Sequence, residues 1–481
     1  MPLENNNLLV TNGWINGQEI TAKRLFSVVD PATCREIAKV SDLGAKHALA
    51  AIDAATDALG AWRTITRDER KRLILKWAAL IEQNIQNLSE IVSLENGKPL
   101  REATGEINQC VALLRWFAQV SENLVGETLV APNPSQRNYT IKQPIGVVAC
   151  ITPWNFPAAA VIVKAGAAII TGCTTVVKPS EETPLIALAF AQLSKQAGIL
   201  DGVFNVLPCK DPVDVSQEFC RSEDVRMLSF TGSIPVGKEL YAACSGTVKR
   251  LALELGGNAP FVVFDDAHIE DALDGAMGAR FYNGGQICVG ANRFLIQQSI
   301  YQEFAEKFAA RVKTLKVGNG FDENTNIGPM INPSALKRLK SLVKTAVSKG
   351  AEVIIGGSQD KDRTLFFQPT VLTEMSPKMD AFHIEIFGPV ACLYSFKNEA
   401  EALHLANATS AGLAAYVYSS NQERLARFSE SLEAGVLGIN SANIFANDLP
   451  FGGIKQSGLG REHGMQCLEE YVETKSICMG L

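Results

Sequence analysis

Cys288 stands in the run Asn283-Gly284-Gly285-Gln286-Ile287-Cys288-Val289-Gly290, where glycines leave the thiol approachable and the backbone amides free to face a ligand. A nucleophilic cysteine needs both, together with surroundings that control its thiolate; the other use of such a residue is as a small buried hydrophobe. Glu254 closes an apolar strand at Glu254-Leu255-Gly256-Gly257. A partly buried Glu with a raised pKa serves as general base toward a thiol or water, whereas an exposed one is a surface ion-pair partner. Only five histidines occur, none in a His-Glu-x-x-His arrangement, so a His-activated nucleophile or a metal site has little raw material. Glu254 is the natural base. In Thr152-Pro153-Trp154-Asn155-Phe156-Pro157, the amide of Asn155 offers a donor that, with the Cys288 N–H, suits a developing oxyanion; read otherwise, the segment is a rigid turn between two prolines.

Two further turns have phosphate-binding character. Lys178-Pro179-Ser180-Glu181 follows one strand, and Phe230-Thr231-Gly232-Ser233 follows another and runs into Pro235 and a helix start. Free amides at such places bind phosphate. No Gly-x-Gly-x-x-Gly occurs, so the usual dinucleotide fingerprint is missing. Glu385-Ile386-Phe387-Gly388-Pro389 and Pro450-Phe451-Gly452-Gly453-Ile454-Lys455 read by default as structural loops.

The elements that must position these residues alternate strand and helix. After a short β start at Trp14-Ile15-Asn16-Gly17, apolar spacing predicts helices over Ala45–Trp62 and Arg67–Val92. Tyr139–Lys142 before Pro144 predicts an exposed strand or arm. From Gly146 the pattern is Val147–Ile151, helix Pro157–Ile170, Thr174–Val177, helix Pro184–Ala197, Val203–Leu207, Met227–Phe230, helix Val236–Cys244 and Lys249–Leu255. A second set follows: strand Pro260–Phe264, helices Phe304–Leu315 and Ala335–Lys349, strand Val353–Ile355 and helix Glu399–Ala406. Such alternation predicts doubly wound, mostly parallel sheets in two α/β units that meet near Gly256-Gly257.

At 481 residues, 47% hydrophobic and 20% charged, the chain has material for a large core. Forty-five basic against fifty-one acidic residues give a net charge of -6, with no long basic run, which argues against a nucleic-acid partner. The Met-Pro-Leu-Glu-Asn-Asn-Asn start has no secretory character. The apolar stretch Ala158–Ile170, interrupted by Lys164, is too short to span a bilayer, so no membrane association is expected. Eleven cysteines lie scattered without a Cys-x-x-Cys pair, which points to reduced thiols and a cytoplasmic setting, with no metal.

In this order and spacing, the motifs closely resemble the NAD(P)-dependent aldehyde dehydrogenase superfamily, over essentially the whole chain. The resemblance rests on Pro153–Pro157, Lys178–Glu181, Phe230–Ser233, Glu254–Gly257, Gly285–Cys288, Glu385–Pro389, Pro450–Gly453 and Ser457-Gly458-Leu459-Gly460-Arg461-Glu462. Lys142–Val147, Gly256–Phe261 and the Met479-Gly480-Leu481 end are most similar to the succinate-semialdehyde dehydrogenase branch. That family binds its dinucleotide without the glycine fingerprint.

The resemblance implies an α/β fold with a Rossmann-like NAD-binding domain over 1–125 and 145–256, a catalytic domain over 257–465, and a β oligomerisation arm from 126–144 and 466–481. It implies a homodimer or homotetramer. Cys288 would attack the aldehyde, Asn155 and the Cys288 amide would hold the oxyanion, Glu254 would activate the hydrolytic water, and Glu462 would relay protons. Ile151, Thr152, Pro153 and Trp154 would line the cofactor path. Lys178 and Glu181 would bind the adenosine ribose, Ser233 and Trp154 would lie along the pyrophosphate path, and Ser180, Thr231 and Gly232 would be further cofactor-binding residues. Leu255 and Gly256, with Glu385 and Phe387, would meet the nicotinamide end. A carboxylate at Glu181 repels a 2′-phosphate, so NAD is expected over NADP. Lys164 either contacts the cofactor or caps its helix.

The substrate pocket departs from the family branch. Where succinate-semialdehyde dehydrogenases hold the distal carboxylate with two arginines and a serine, this chain has Val163, Tyr282 and Phe445. With Phe156 and Ile287 these make an apolar, aromatic lining, and a carboxylate left without partners there costs several kcal/mol, on the order of 1–5. The lining therefore points to a medium-chain aliphatic or aromatic aldehyde, with succinate semialdehyde as the alternative. Val289-Gly290 lacks the neighbouring cysteine of a disulfide switch, and Ile384 replaces an acidic residue often found before Glu385. A non-catalytic binding protein and a cofactor-free esterase on the same fold are the competing classes; the complete Cys288, Glu254 and Asn155 set disfavours the first, and the complete nucleotide-site set the second.

Overall fold

Apolar runs without alternation are what a parallel sheet covered on both faces requires, and Val147–Ile151, Thr174–Lys178 and Phe204–Val206 are buried along their whole length. The computed structural model describes residues 7–360 and 363–481; the segment before Asn7, on which the reading of the chain start rests, lies outside them. In the first sheet the strand order is Gln18–Ile20, Gly13–Ile15, Phe204–Val206, Thr174–Lys178, Val147–Ile151, Val225–Gly232, Arg250–Leu255 and Gly458–Leu459. The strands from Phe204–Val206 to Arg250–Leu255 are all parallel.

From Val147–Ile151 the chain winds outward through Thr174–Lys178 to Phe204–Val206, then returns to the other side at Val225–Gly232. The strand order therefore reverses between Val147–Ile151 and Val225–Gly232, and ligands of open α/β sheets bind beyond the carboxyl ends at such a point. Register sets Ile151 beside both Phe230 and Lys178. The loops beginning at Thr152 and Thr231 consequently leave the sheet side by side.

The second sheet runs Glu352–Ile355, Thr370–Thr373, Val390–Phe396, Ala291–Gln297, Ala259–Val263, Ala414–Tyr418 and Val436–Ile439, parallel except at its first pair. Strand Gly458–Leu459, which follows this set in the chain, crosses back to edge the first sheet, with Glu254 opposite Gly458. A third, antiparallel sheet pairs Val472–Gly480 with Gln136–Pro144, and Thr128–Leu129 with the latter. Pro144 ends its strand, as a residue without an N–H must. No helix of the described residues is long and apolar enough to cross a membrane.

Two predicted helices differ from the observed ones. Arg67–Val92 is broken at Asn84 into Arg67–Gln83 and Ile85–Asn96; the Asn84 side chain donates to the Leu80 carbonyl at 2.8 Å, the local competition with helical hydrogen bonding that asparagine brings. Pro157–Ile170 is helical, but its middle, Ile162–Gly166, is a π turn between α segments Pro157–Val161 and Ala167–Thr171. The other elements stand within a few residues of where the spacing put them.

Trp77, fully buried on helix Arg67–Gln83, packs edge-on against Phe190 of helix Leu185–Ala197 at 6.4 Å and against Phe204 of the first sheet at 5.4 Å. It joins the helical layer to the sheet. Trp77→Ala is expected to lower stability by about 3–5 kcal/mol, read as a fall in the urea midpoint; a loss below about 1 kcal/mol would mean the layer is anchored elsewhere.

Candidate active site

Past the carboxyl ends of the first sheet, where the strand order reverses, a cavity of about 720 Å³ runs between the two α/β units. Cys288, Glu254, Asn155 and Glu462 all line it. These four residues, drawn from four separate stretches of sequence, thus face one space.

Cys288 is half-buried, and burial pushes its thiol well above the ordinary value, with the carboxylates of Glu385, Glu254 and Glu462 adding to the shift. The thiol is therefore protonated at neutral pH and needs a base to become a nucleophile. Glu254, fully enclosed at its strand end, has both carboxyl oxygens without a hydrogen-bond partner. Burial holds its carboxyl well above the carboxylate range and the nearby Glu462 charge adds to this, while Lys164 and Arg461 oppose it. Such a group exchanges protons with thiol or water far more readily than a surface glutamate. The glycine turn of Pro450–Lys455 has a steric reason here: a Cβ on Gly452 would come within 2.8 Å of Glu254 Oε1.

Lys164 lies in mid-helix, inside the π turn, and caps nothing. Its Nζ donates to Glu462 Oε1 at 2.6 Å and to Ser229 Oγ at 3.3 Å, with the lysine side chain fully buried. Glu462 is held in turn by paired backbone bonds with Phe451.

The Asn155 Nδ2 donates to the Gln286 carbonyl at 3.2 Å, which places the amide against the cysteine loop. Behind it lies a buried network that the sequence did not reveal. Lys98 Nζ donates to Glu106 Oε2 at 2.6 Å and to the Asn155 carbonyl at 2.8 Å, both side chains of the pair being fully inaccessible. Glu106 Oε1 accepts the Ala158 and Ala159 N–H groups at the start of the following helix. Glu102, pushed up to about 7 by burial, accepts the Asn283 N–H at 2.8 Å. Asn283 and Gly284 hold φ of +50° and +59°, the tight bend that turns the chain toward Cys288.

Toward the other end, Trp154 meets Phe387 edge-on at 5.4 Å, and Glu385 accepts the Gly257 N–H at 3.0 Å. Burial raises Glu385 to about 7. An added Cβ on Gly256 would lie 2.8 Å from Glu385 Oε2, and one on Gly257 would lie 2.3 Å from the Cys288 carbonyl oxygen, so the glycine pair keeps the cavity's two sides together. Pro153, Thr231, Gly232, Ser233 and Leu255 also line the cavity. Ser233 precedes helix Ile234–Cys244 and makes no side-chain cap, leaving first-turn amides at the cavity for a phosphate. These residues fit a dinucleotide. Ile151, Thr152, Lys178, Ser180 and Glu181 stand outside the lining, at adjacent strand ends; Thr152 N–H donates to the Lys178 carbonyl at 3.1 Å, and Lys178 Nζ lies 3.6 Å from Glu181.

At the substrate end, Phe156 stacks on Tyr282 at 5.9 Å and Phe445 on Phe451 at 5.2 Å, while Val163 and Ile287 complete the wall. Arg338 also lines the cavity, but its guanidinium is held by the Glu385 and Ile386 carbonyls. Gln109 and His463 line it as well, and nothing in their sequence context singled them out.

A model of the aldehyde dehydrogenase family matches residues 14–477. A probable NADP(+) succinate-semialdehyde dehydrogenase of Sinorhizobium fredii is 46% identical over 458 residues, 95% of this chain and 93% of that protein. The mitochondrial succinate-semialdehyde dehydrogenase of Homo sapiens is 44% identical, over 98% of this chain and 89% of its own. The crystal structure of succinate-semialdehyde dehydrogenase from Burkholderia pseudomallei superposes with a TM-score of 0.98 at 44% identity, over 99% of both chains. These names favour succinate semialdehyde over the apolar aldehyde that the lining suggested, and the first of them is at odds with a simple expectation of NAD.

Two outcomes are expected from this geometry. Because Glu462 helps hold Glu254 up and the base must be ionised to act, Glu462→Gln should move the acid limb of the kcat/KM profile to lower pH; an unmoved limb would detach Glu254 from that role. Lys98→Met leaves Glu106 as a buried unpaired charge and should cost about 3–5 kcal/mol. The double variant Lys98→Met with Glu106→Leu should regain most of that stability while kcat stays low, because Asn155 has lost its support; recovery of both would make the pair merely structural.

Proposed function

Since the chain belongs to the aldehyde dehydrogenase family, we propose that it oxidises succinate semialdehyde, or a short semialdehyde of that class, to the dicarboxylate with NAD(P). What carries this substrate reading is end-to-end identity of 44–46% with proteins bearing that name. A second reading, a medium-chain aliphatic or aromatic aldehyde, is favoured by Val163, Tyr282 and Phe445 in the cavity wall, which offers no free guanidinium among the described residues.

The chemistry is the same for both. Glu254 accepts the Cys288 proton, and the sulfur adds to the carbonyl carbon. The oxygen, now an alkoxide, is held by Asn155 Nδ2 and the Cys288 N–H, which are in place before the charge develops. A dinucleotide held along Trp154, Ser233 and Glu385 would supply the hydride acceptor that turns this adduct into a thioester. Glu254, having passed the thiol proton on toward Glu462, takes a proton from water as that water attacks the thioester, and the departing sulfur takes this proton back to restore the Cys288 thiol. Lys164 and Glu462, paired at 2.6 Å and adjacent to Glu254, give the thiol proton its onward path.

Residues 1–125 and 145–256 serve as the dinucleotide unit, 257–465 as the catalytic unit, and 126–144 with 466–481 as the arm through which copies pair as a dimer or tetramer. Strand Val472–Gly480 supports this, being an exposed edge of its sheet. Lys178, Ser180 and Glu181 hold the adenosine ribose, and the Glu181 carboxylate favours NAD.

The test is initial NADH and NADPH formation with succinate semialdehyde and with hexanal. Higher kcat/KM on succinate semialdehyde supports the first reading; faster hexanal turnover at subsaturating concentration transfers the assignment to the second. Activity with Cys288→Ser near wild type on either aldehyde would remove the mechanism itself.

A further inference from the structure

One polar side chain at the substrate end has no part in the reaction just described. His463 lines the cavity next to Glu462, with its ring edge-on to Phe451 at 6.2 Å and 74°, behind the stacked Phe445–Phe451 pair. It is 7% exposed, and its Nδ1 is buried with no hydrogen-bond partner. A buried N–H without an acceptor is the costlier orphan, so Nδ1 carries the lone pair and the proton sits on Nε2. Nε2 is the ring nitrogen left open to the cavity that the side chain lines.

We propose that His463 determines substrate specificity, its Nε2–H donating to the distal carboxylate of a semialdehyde whose aldehyde carbon sits at Cys288. This rests on the semialdehyde reading of the site and supplies what that reading lacks, a partner able to carry positive charge where Val163, Tyr282 and Phe445 provide none. Gln109 and the Tyr282 hydroxyl face the same space, but of these groups only an imidazole can gain positive charge when an anion arrives. Burial keeps the free ring below its ordinary value, so the empty site holds it neutral, and an incoming carboxylate acts in the raising direction as Glu462 already does. The apolar walls then strengthen the contact, since a charge-assisted hydrogen bond gains in a low-dielectric pocket.

The experiment measures kcat/KM for succinate semialdehyde divided by that for hexanal, in the wild type, His463→Leu and His463→Asn. His463 holds φ of +55° with ψ of 178°, a strained backbone that all three side chains must share, so backbone strain is common to the series and the second variant differs from the first in keeping a side-chain N–H donor. The ratio should fall at least tenfold in His463→Leu, through KM more than kcat, and return most of the way in His463→Asn. Equal losses on both aldehydes, with the ratio unchanged, would overturn the inference while leaving the semialdehyde reading intact. A wild type that turns over hexanal and ignores succinate semialdehyde would refute that reading, and the inference with it.

Discussion

The buried pair between Lys98 and Glu106 is the constraint on which the rest of the site depends. Removing two charges from water costs several kcal/mol each, on the order of 20 in the idealised limit, and attraction alone rarely offsets it. Here every remaining valence is used: Lys98 also holds the Asn155 carbonyl and lies 4.1 Å over the Phe156 ring, and Glu106 takes two amides of the helix start. One ion pair thereby fixes Asn155, the Phe156 ring and the origin of the helix that carries Val163 and Lys164. Asn283, bonded to the same Asn155 carbonyl at 2.9 Å, extends the hold to the cysteine loop.

Around the thiol the electrostatics run against ionisation. Glu254, Glu385 and Glu462 all raise Cys288, and burial does so more. A permanent thiolate next to bound cofactor would be exposed to oxidation and stray electrophiles; a thiol activated only by a neighbouring base is nucleophilic when that base is ionised. Lys164 moderates the acidic cluster, because its charge opposes the upward pull on Glu254.

The residues legible from sequence were those whose motif carries its own reason. Cys288 and Glu254 are flanked by glycines, and Gly257 and Gly452 prove to be sites where a Cβ would strike the Cys288 carbonyl and the Glu254 carboxyl. Strand Val147–Ile151 followed from an apolar run and turn spacing, whereas the reversal of strand order beside it is set by long-range pairing that spacing along the chain does not show. Lys98 and Glu106 were not legible, since a lysine in a loop and a glutamate on the helix that follows read as solvated charges until tertiary packing closes over them. His463 left no trace either: a single histidine becomes informative only when its neighbours in space, Phe451 and Phe445, are known. The names of related proteins and the wall residues of this chain point to different aldehydes because whole-chain likeness is dominated by core and cofactor contacts, while the wall is a handful of side chains.

The π turn at Ile162–Gly166 carries two neighbouring side chains with different surroundings. Successive residues of a helix point about 100° apart, so Val163 opens onto the substrate cavity while its neighbour Lys164 points to Ser229 and Glu462. Mutation can therefore reshape the wall at position 163 without removing the Lys164–Glu462 ion pair one residue away. Insertion or deletion of a residue within the turn, by contrast, would rotate both side chains together, so the length of this helix is tied to the cavity wall and to the buried ion pair at once.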